Sequence, residues 1–247
     1  MLTPLELRNA KREAQRAVRL AVNAIHSSLD AWKAAVSDGK AAATTLTNAA
    51  LTQLHLPALP LVLLGDVPGL RPAAEAKLRQ QQDEALAALK ACLERLHEAV
   101  AGLAAAADSL HQLAERDAAA PLLAKAPVFA TLPLHLVAAM LAEVHSQHQA
   151  ELGVKAGVLR GCEQVVGDLR AADRPDGDAS SGPGGGVPGS TGGSLRSGGT
   201  GRAAAQREEA LRRTMQVYLT AWMLSPEVDE GRVEGHLAQL EADMRGF

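Results

Sequence analysis

Apolar residues recur every three or four positions along most of this chain. The longest unbroken series is Leu86, Leu89, Leu93, Leu96, Val100, Leu103, Ala107 and Leu110. Steps of three and four in alternation trace one stripe on an α-helix, and a coiled-coil seam when sustained. The stripe predicts helix packed on helix and says nothing of chemistry. It belongs to a predicted helix running from about Pro72 toward Arg116. That length spans roughly 65 Å. Gly102 is tolerated inside it at a cost of about 1 kcal/mol.

A second helix is predicted ahead of it. Thr3-Pro4-Leu5-Glu6 supplies an N-cap, a proline at the first helical position and a glutamate three residues after the cap. Val18, Val22, Ile25, Leu29, Trp32 and Val36 form its apolar face, and Asp38-Gly39 ends or kinks it. A shorter helical piece follows with Ala43, Leu46, Ala50 and Leu54 in phase. From 56 to 72 the period breaks. Pro57, Pro60, Gly65, Pro68, Gly69 and Pro72 make this a turn or extended loop, yet one rich in Leu and Val, which must pack on something.

After the stripe helix, Asp117 to Pro133 reads as a connector with three prolines, followed by a helix from about Leu134 to Leu169. Val137, Leu141, Val144, Val158, Cys162, Val165 and Leu169 lie on one side of it, and the polar His148, Glu151 and Lys155 interrupt them and weaken the seam. Residues 173–202 are dominated by Gly, Ser, Pro and Thr. Such a segment cannot recover its ordering entropy by burial and reads as a disordered linker. Beyond it, Leu211, Met215, Tyr218 and Trp222 mark a helix, and Ser225-Pro226 restarts a last one carrying Val233, Leu237, Leu240 and Met244. The expectation is all-α: an elongated antiparallel bundle with coiled-coil-like long helices (1–172), the Gly/Ser-rich insertion, and a C-terminal helical hairpin (203–247) packing on the bundle.

Composition narrows the function classes. Hydrophobic residues are 47% of the 247, but aromatics are only 2%, namely Trp32, Phe129, Tyr218, Trp222 and Phe247. The core is therefore built of Leu, Val and Ala. Net charge is −3 with both signs interspersed, so no basic field advertises nucleic acid. No stretch of about 18 apolar residues predicts a membrane span. Arg8, Lys11, Arg12, Arg16 and Arg19 give the first helix a basic face, as in transit peptides or membrane-surface helices, but Glu6 and Glu13 interrupt it. Cys92 and Cys162 fit no metal or redox spacing and read as free thiols.

Candidate chemistry is thin. His145 and His148, flanked by Glu143 and Glu151, lack the spacing of a zinc or di-metal helix. Gly39-Lys40 lacks the earlier glycine and the following Ser or Thr of a phosphate loop, since Ala34 and Ala41 stand there. No serine sits in a Gly-x-Ser-x-Gly elbow. The expectation is no enzyme and no cofactor. Trp32 and Trp222 are either interface anchors or pegs of the core.

One order of features is more specific. Leu29-Asp30-Ala31-Trp32 is followed by the small-residue and Leu helix 43–54, then Gly65-Asp66-Val67-Pro68-Gly69-Leu70-Arg71, then Lys77-Leu78-Arg79-Gln80-Gln81-Gln82. This resembles the AIRIM family of ribosome maturation factors, with its Leu-Trp pair, Leu/Ser-rich helix, Asp-Val-Pro-x-Leu-Arg loop and basic Leu helix. Val137, Ala139, Met140 and Leu141 look like its second block, and the Trp222 region like its C-terminal one. The Gly-rich insertion departs from the family, and Lys155 and Arg160 are remnants of a basic half-block. The resemblance implies a non-catalytic adaptor in a hetero-oligomer with AAA ATPase subunits and a second small helical subunit. Such complexes act in large ribosomal subunit maturation and proteostasis, in cytoplasm and nucleus, without direct nucleic acid or membrane contact. It marks Trp32, Asp66, Val67, Pro68, Leu70, Arg71 and Leu78 as partner-binding candidates. The leucine stripe alone also fits a self-associating coiled-coil scaffold for tethering or the cytoskeleton.

Overall fold

The structure, a computed structural model, describes residues 3–59, 67–116, 126–172 and 199–247. Among them the fold is all-α. Helix α1 spans Pro4–His55, α2 Leu70–Arg116, α3 Leu134–Ala172, α4 Gly199–Leu224 and α5 Glu230–Met244. α1 is 52 residues long, so it extends about 78 Å. Its start follows the sequence signal. Thr3 Oγ1 accepts from the Glu6 amide at 3.3 Å while Glu6 Oε2 accepts from the Thr3 amide at 2.6 Å and the Thr3 hydroxyl at 2.9 Å, and the two bonds it accepts hold the Glu6 carboxyl below its usual range.

Side-chain pairs set the directions. Arg95 meets Asp38 at 2.7 Å and Gln82 meets Gln53 at 2.6 Å, so α2 runs back along α1. Lys90 meets Glu163 at 2.7 Å and Arg170 meets Asp83 at 2.6 Å, so α3 runs back along α2. α4 then descends along both α1 and α3, with Tyr218 against Gly161 and Trp222 against Gly39. α5 continues the same descent. His236 reaches Glu143 at 3.1 Å, and Glu241 reaches His26 at 3.1 Å. The expected C-terminal hairpin is thus corrected: α4 and α5 do not fold back on each other but together form one broken fourth helix of an antiparallel bundle.

The leucine stripe lies inside this bundle. Leu89, Leu96, Leu103 and Leu110 repeat every seven residues on α2, and each is fully buried. Ala85, Cys92, Ala99 and Ala106 fill the alternate seam positions. Large and small residues alternate, so helix axes approach closely while each leucine removes its side chain from water, worth about 2 kcal/mol apiece. Two core clusters result. One joins the first half of α1 to the second half of α2, the start of α3 and α5. The other joins the second half of α1 to the first half of α2, the end of α3 and α4.

Four boundaries differ from expectation. Asp38-Gly39 does not end the first helix, and Ala43 to Leu54 is simply its continuation. The reason is tertiary. A Cβ on Gly39 would overlap the indole of Trp222, so this glycine is a notch for a ring and not a stop. α2 begins at Leu70, two residues before Pro72. α4 is bounded at Gly199, a little ahead of the expected start at 203; 173–198 of the expected linker lie outside the described residues. Within the connector, 126–133 are ordered: Val128, Phe129 and Leu132 are buried, and Val128 donates to the Leu132 carbonyl at 2.9 Å. Asp243 on α5 ties this segment down, accepting from the Thr131 amide at 2.6 Å and its hydroxyl at 2.7 Å.

Candidate functional site

The partner-binding candidates divide between two places. Val67, Pro68, Leu70 and Arg71 meet at one end of the bundle, where α1 gives way to a single 3-10 turn (Leu56–Ala58) and α2 begins. Arg71 does the fastening. Its guanidinium donates to the carbonyls of Leu56 at 2.7 Å, Pro57 at 3.1 Å and Leu59 at 3.1 Å. Those carbonyls lie at the end of α1 and just past it; Leu56 also accepts the Leu59 amide at 3.4 Å within the 3-10 turn, and the planar cation with several donors joins all three carbonyls. Gly69 holds φ +80°, which turns the chain into α2. Val67 is left 48% exposed, Pro68 is exposed, and Leu59 beside them is 43% exposed. Leu70 and Leu78 are half-buried. Asp66 lies outside the described residues.

Trp32 is elsewhere. It sits in the middle of α1, about 35 Å from that end, and is buried in a T-shaped contact with the His148 ring, 5.0 Å between centroids. Its place is in the core.

The polar interruption of α3 is the feature that periodicity misjudged. His148, Glu151 and Lys155 lie on the seam and are all buried. Lys155 Nζ pairs with Glu151 at 2.7 Å, donates to the Ala221 carbonyl at 2.9 Å and to Ser225 Oγ at 3.2 Å, and also donates to the Trp222 carbonyl. Glu151 in turn accepts the Glu227 amide at 2.8 Å. The ion pair thus grips both sides of the break between α4 and α5. That break is strained: Ser225 adopts φ +43°, a left-handed conformation unfavourable for a residue with a side chain, and Pro226 supplies no amide. Burial pulls the Lys155 pKa down, opposed by Glu151. Burial likewise lowers that of His148.

The break opens a cleft of about 320 Å³ beside α1, with Trp32 and His148 among its lining residues. Both cysteines are buried free thiols; burial pushes Cys162 up to about 11 and also raises Cys92, which leaves both unreactive. Among the described residues, no three His, Cys, Asp or Glu side chains gather in a group that could hold a metal ion, and no helix is long and apolar enough to cross a membrane.

No family model, no curated protein and no solved structure matches this chain.

Proposed function

We propose that the chain is a non-catalytic helical adaptor subunit that docks on AAA ATPase subunits together with a second small helical protein, in large ribosomal subunit maturation and proteostasis, in cytoplasm and nucleus. The ATPase supplies ATP hydrolysis and force; this chain supplies a rigid spacer and a docking end. The observation that carries the reading is the Arg71 fork. It spends a charged side chain on three backbone carbonyls so that the Val67-Pro68 corner stands out from a rigid helix end. An exposed apolar corner on a fixed frame loses little ordering entropy on binding. The same corner carries the Val-Pro-x-Leu-Arg residues of the family resemblance. The coiled-coil scaffold is the weaker reading, because the leucines that suggested it are already buried within this chain's own bundle.

The test is purification of the tagged full chain from its native source. AAA ATPase subunits co-purify in stoichiometric amount, and the double substitution Val67→Asp with Pro68→Asp removes them while the circular dichroism spectrum stays helical. Absence of an AAA ATPase from the wild-type preparation ends the adaptor reading.

A further inference from the structure

The cleft at the helix break has the chemistry of a small-molecule site, independently of the adaptor reading. Its volume of about 320 Å³ falls within the range of ligand pockets, about 300–1,000 Å³. Leu29 and Val36 of α1 and Val233 and Leu237 of α5 supply aliphatic walls, and Trp32 adds an aromatic surface. His148, Ser37 and Ser225 are the uncharged polar residues of the lining, and His148 brings an imidazole. It is 3% exposed and lines the cleft. Its Nδ1 lies 2.8 Å from the Val144 carbonyl. A carbonyl only accepts, so the ring proton sits on Nδ1 and Nε2 keeps its lone pair. Among the described residues Nε2 has no hydrogen-bond partner. An imidazole acceptor beside mostly aliphatic walls favours a ligand that brings a donor to it.

The mouth selects against net charge. Lys33 and Lys40 line it from α1, and Glu230 and Glu234 from α5. The two lips cancel in formal charge. The buried Lys155–Glu151 pair behind the turn is already internally neutral. An ion entering between the aliphatic walls would lose hydration, and the mouth offers it no net counter-charge in return.

We propose that this cleft binds a small, uncharged aromatic molecule bearing one O–H or N–H donor, which lies against Trp32 and donates to His148 Nε2. The helix break creates the space, because an unbroken fourth helix would close it with side chains.

The probe is 2-naphthol, titrated into the full chain by calorimetry, against naphthalene as the isostere without a donor. Binding of 2-naphthol is saturable and one-to-one, about tenfold tighter than naphthalene, and moves the His148 Nε2 nitrogen resonance. His148→Phe keeps an aromatic ring without the acceptor, so it abolishes the preference while naphthalene still binds. Val36→Phe fills the cleft from the α1 side and abolishes binding of both. The proposal is overturned if 2-naphthol shows no saturable binding, if the two probes bind equally to the wild-type chain, or if Val36→Phe leaves binding unchanged. Should His148→Phe fail to fold, the nitrogen shift and the Val36 variant decide the matter.

Discussion

Gly39 in the middle of α1 receives the indole of Trp222 from α4, and the ring's Nε1 donates to the Val36 carbonyl at 3.1 Å, one turn back along α1. Trp222 is fully buried. The glycine lets the ring lie directly on the helix backbone, and the hydrogen bond fixes how far α4 has slid along α1. Gly161 on α3 does the same for Tyr218, so α4 is keyed into both of its neighbours by a ring over a glycine.

Gly39→Ala therefore reverses the usual helix rule. In an open helix the change gains about 1 kcal/mol. Here the added methyl drives the indole off its seat, and overpacking of this kind costs about 1–3 kcal/mol. The net effect is a loss in urea denaturation of the wild-type background. In a Trp222→Leu background the same Gly39→Ala change stabilises. A gain in both backgrounds removes the notch from the account.

That contact shows where the sequence was readable and where it was not. Leu89, Leu96, Leu103 and Leu110 were legible because a hydrophobic period needs only the local chain. The alternate positions Ala85, Cys92, Ala99 and Ala106 were not, because small residues carry little hydropathy even when they set the distance between axes. In the sequence Asp38-Gly39 signals an end or a kink, because a glycine that interrupts a helix and one that admits a ring look identical until Trp222 arrives from the far end of the chain. His148, Glu151 and Lys155 looked like a weak seam for the same reason: the carbonyls and amide that satisfy the pair, on Ala221, Trp222 and Glu227, belong to a distant turn. At the bundle end, the loop residues stood out in the sequence, but the internal work of Arg71 did not. The Ser225-Pro226 break was legible, but the cleft beside it was not, since its other wall belongs to α1.

The Lys155–Glu151 pair makes a sharp double-mutant test. Lys155→Met leaves a carboxylate with no exposure and no cation, and breaking a buried pair from one side costs about 3–5 kcal/mol. Removing both, Lys155→Met with Glu151→Leu, costs less than the lysine change alone, because no charge is stranded. The residual loss comes from the Ala221 and Trp222 carbonyls and the Glu227 amide. Guanidinium melts of the three proteins report the order. If the double variant is the least stable, the pair is not acting as a neutralised unit.

Asp243 predicts a local effect at the opposite end. Its carboxylate accepts from the Thr131 amide, the Thr131 hydroxyl and the Leu132 amide, the last at 3.3 Å. Asp243→Ala strands those donors and costs about 2–3 kcal/mol. Hydrogen exchange at Thr131 and Leu132 accelerates, while amides in the middle of α2 stay protected. Uniform acceleration along the whole bundle would mean the 126–133 segment is part of the global unfolding unit and not a separately held plug.

His148 gives the stability a pH dependence whose sign follows from its burial. Desolvation lowers its pKa from the ordinary 6.5 by penalising the charged ring. Above about 6.5 the imidazole is neutral in both folded and unfolded chains and contributes no slope. As pH falls through 6.5 the unfolded chain takes up a proton that the folded chain refuses, so stability is lost from there down to the lower folded value. The slope from this one group approaches about 1.4 kcal/mol per pH unit inside that window. His148→Phe keeps a ring against Trp32 but cannot titrate. The stability of the wild type minus that of this variant therefore falls as pH drops from 8 to 5 (~3 units, spanning the 6.5 reference), measured by urea melts across the series. A difference that stays flat, or rises toward acid, would mean that the buried ring accepts its proton within the fold.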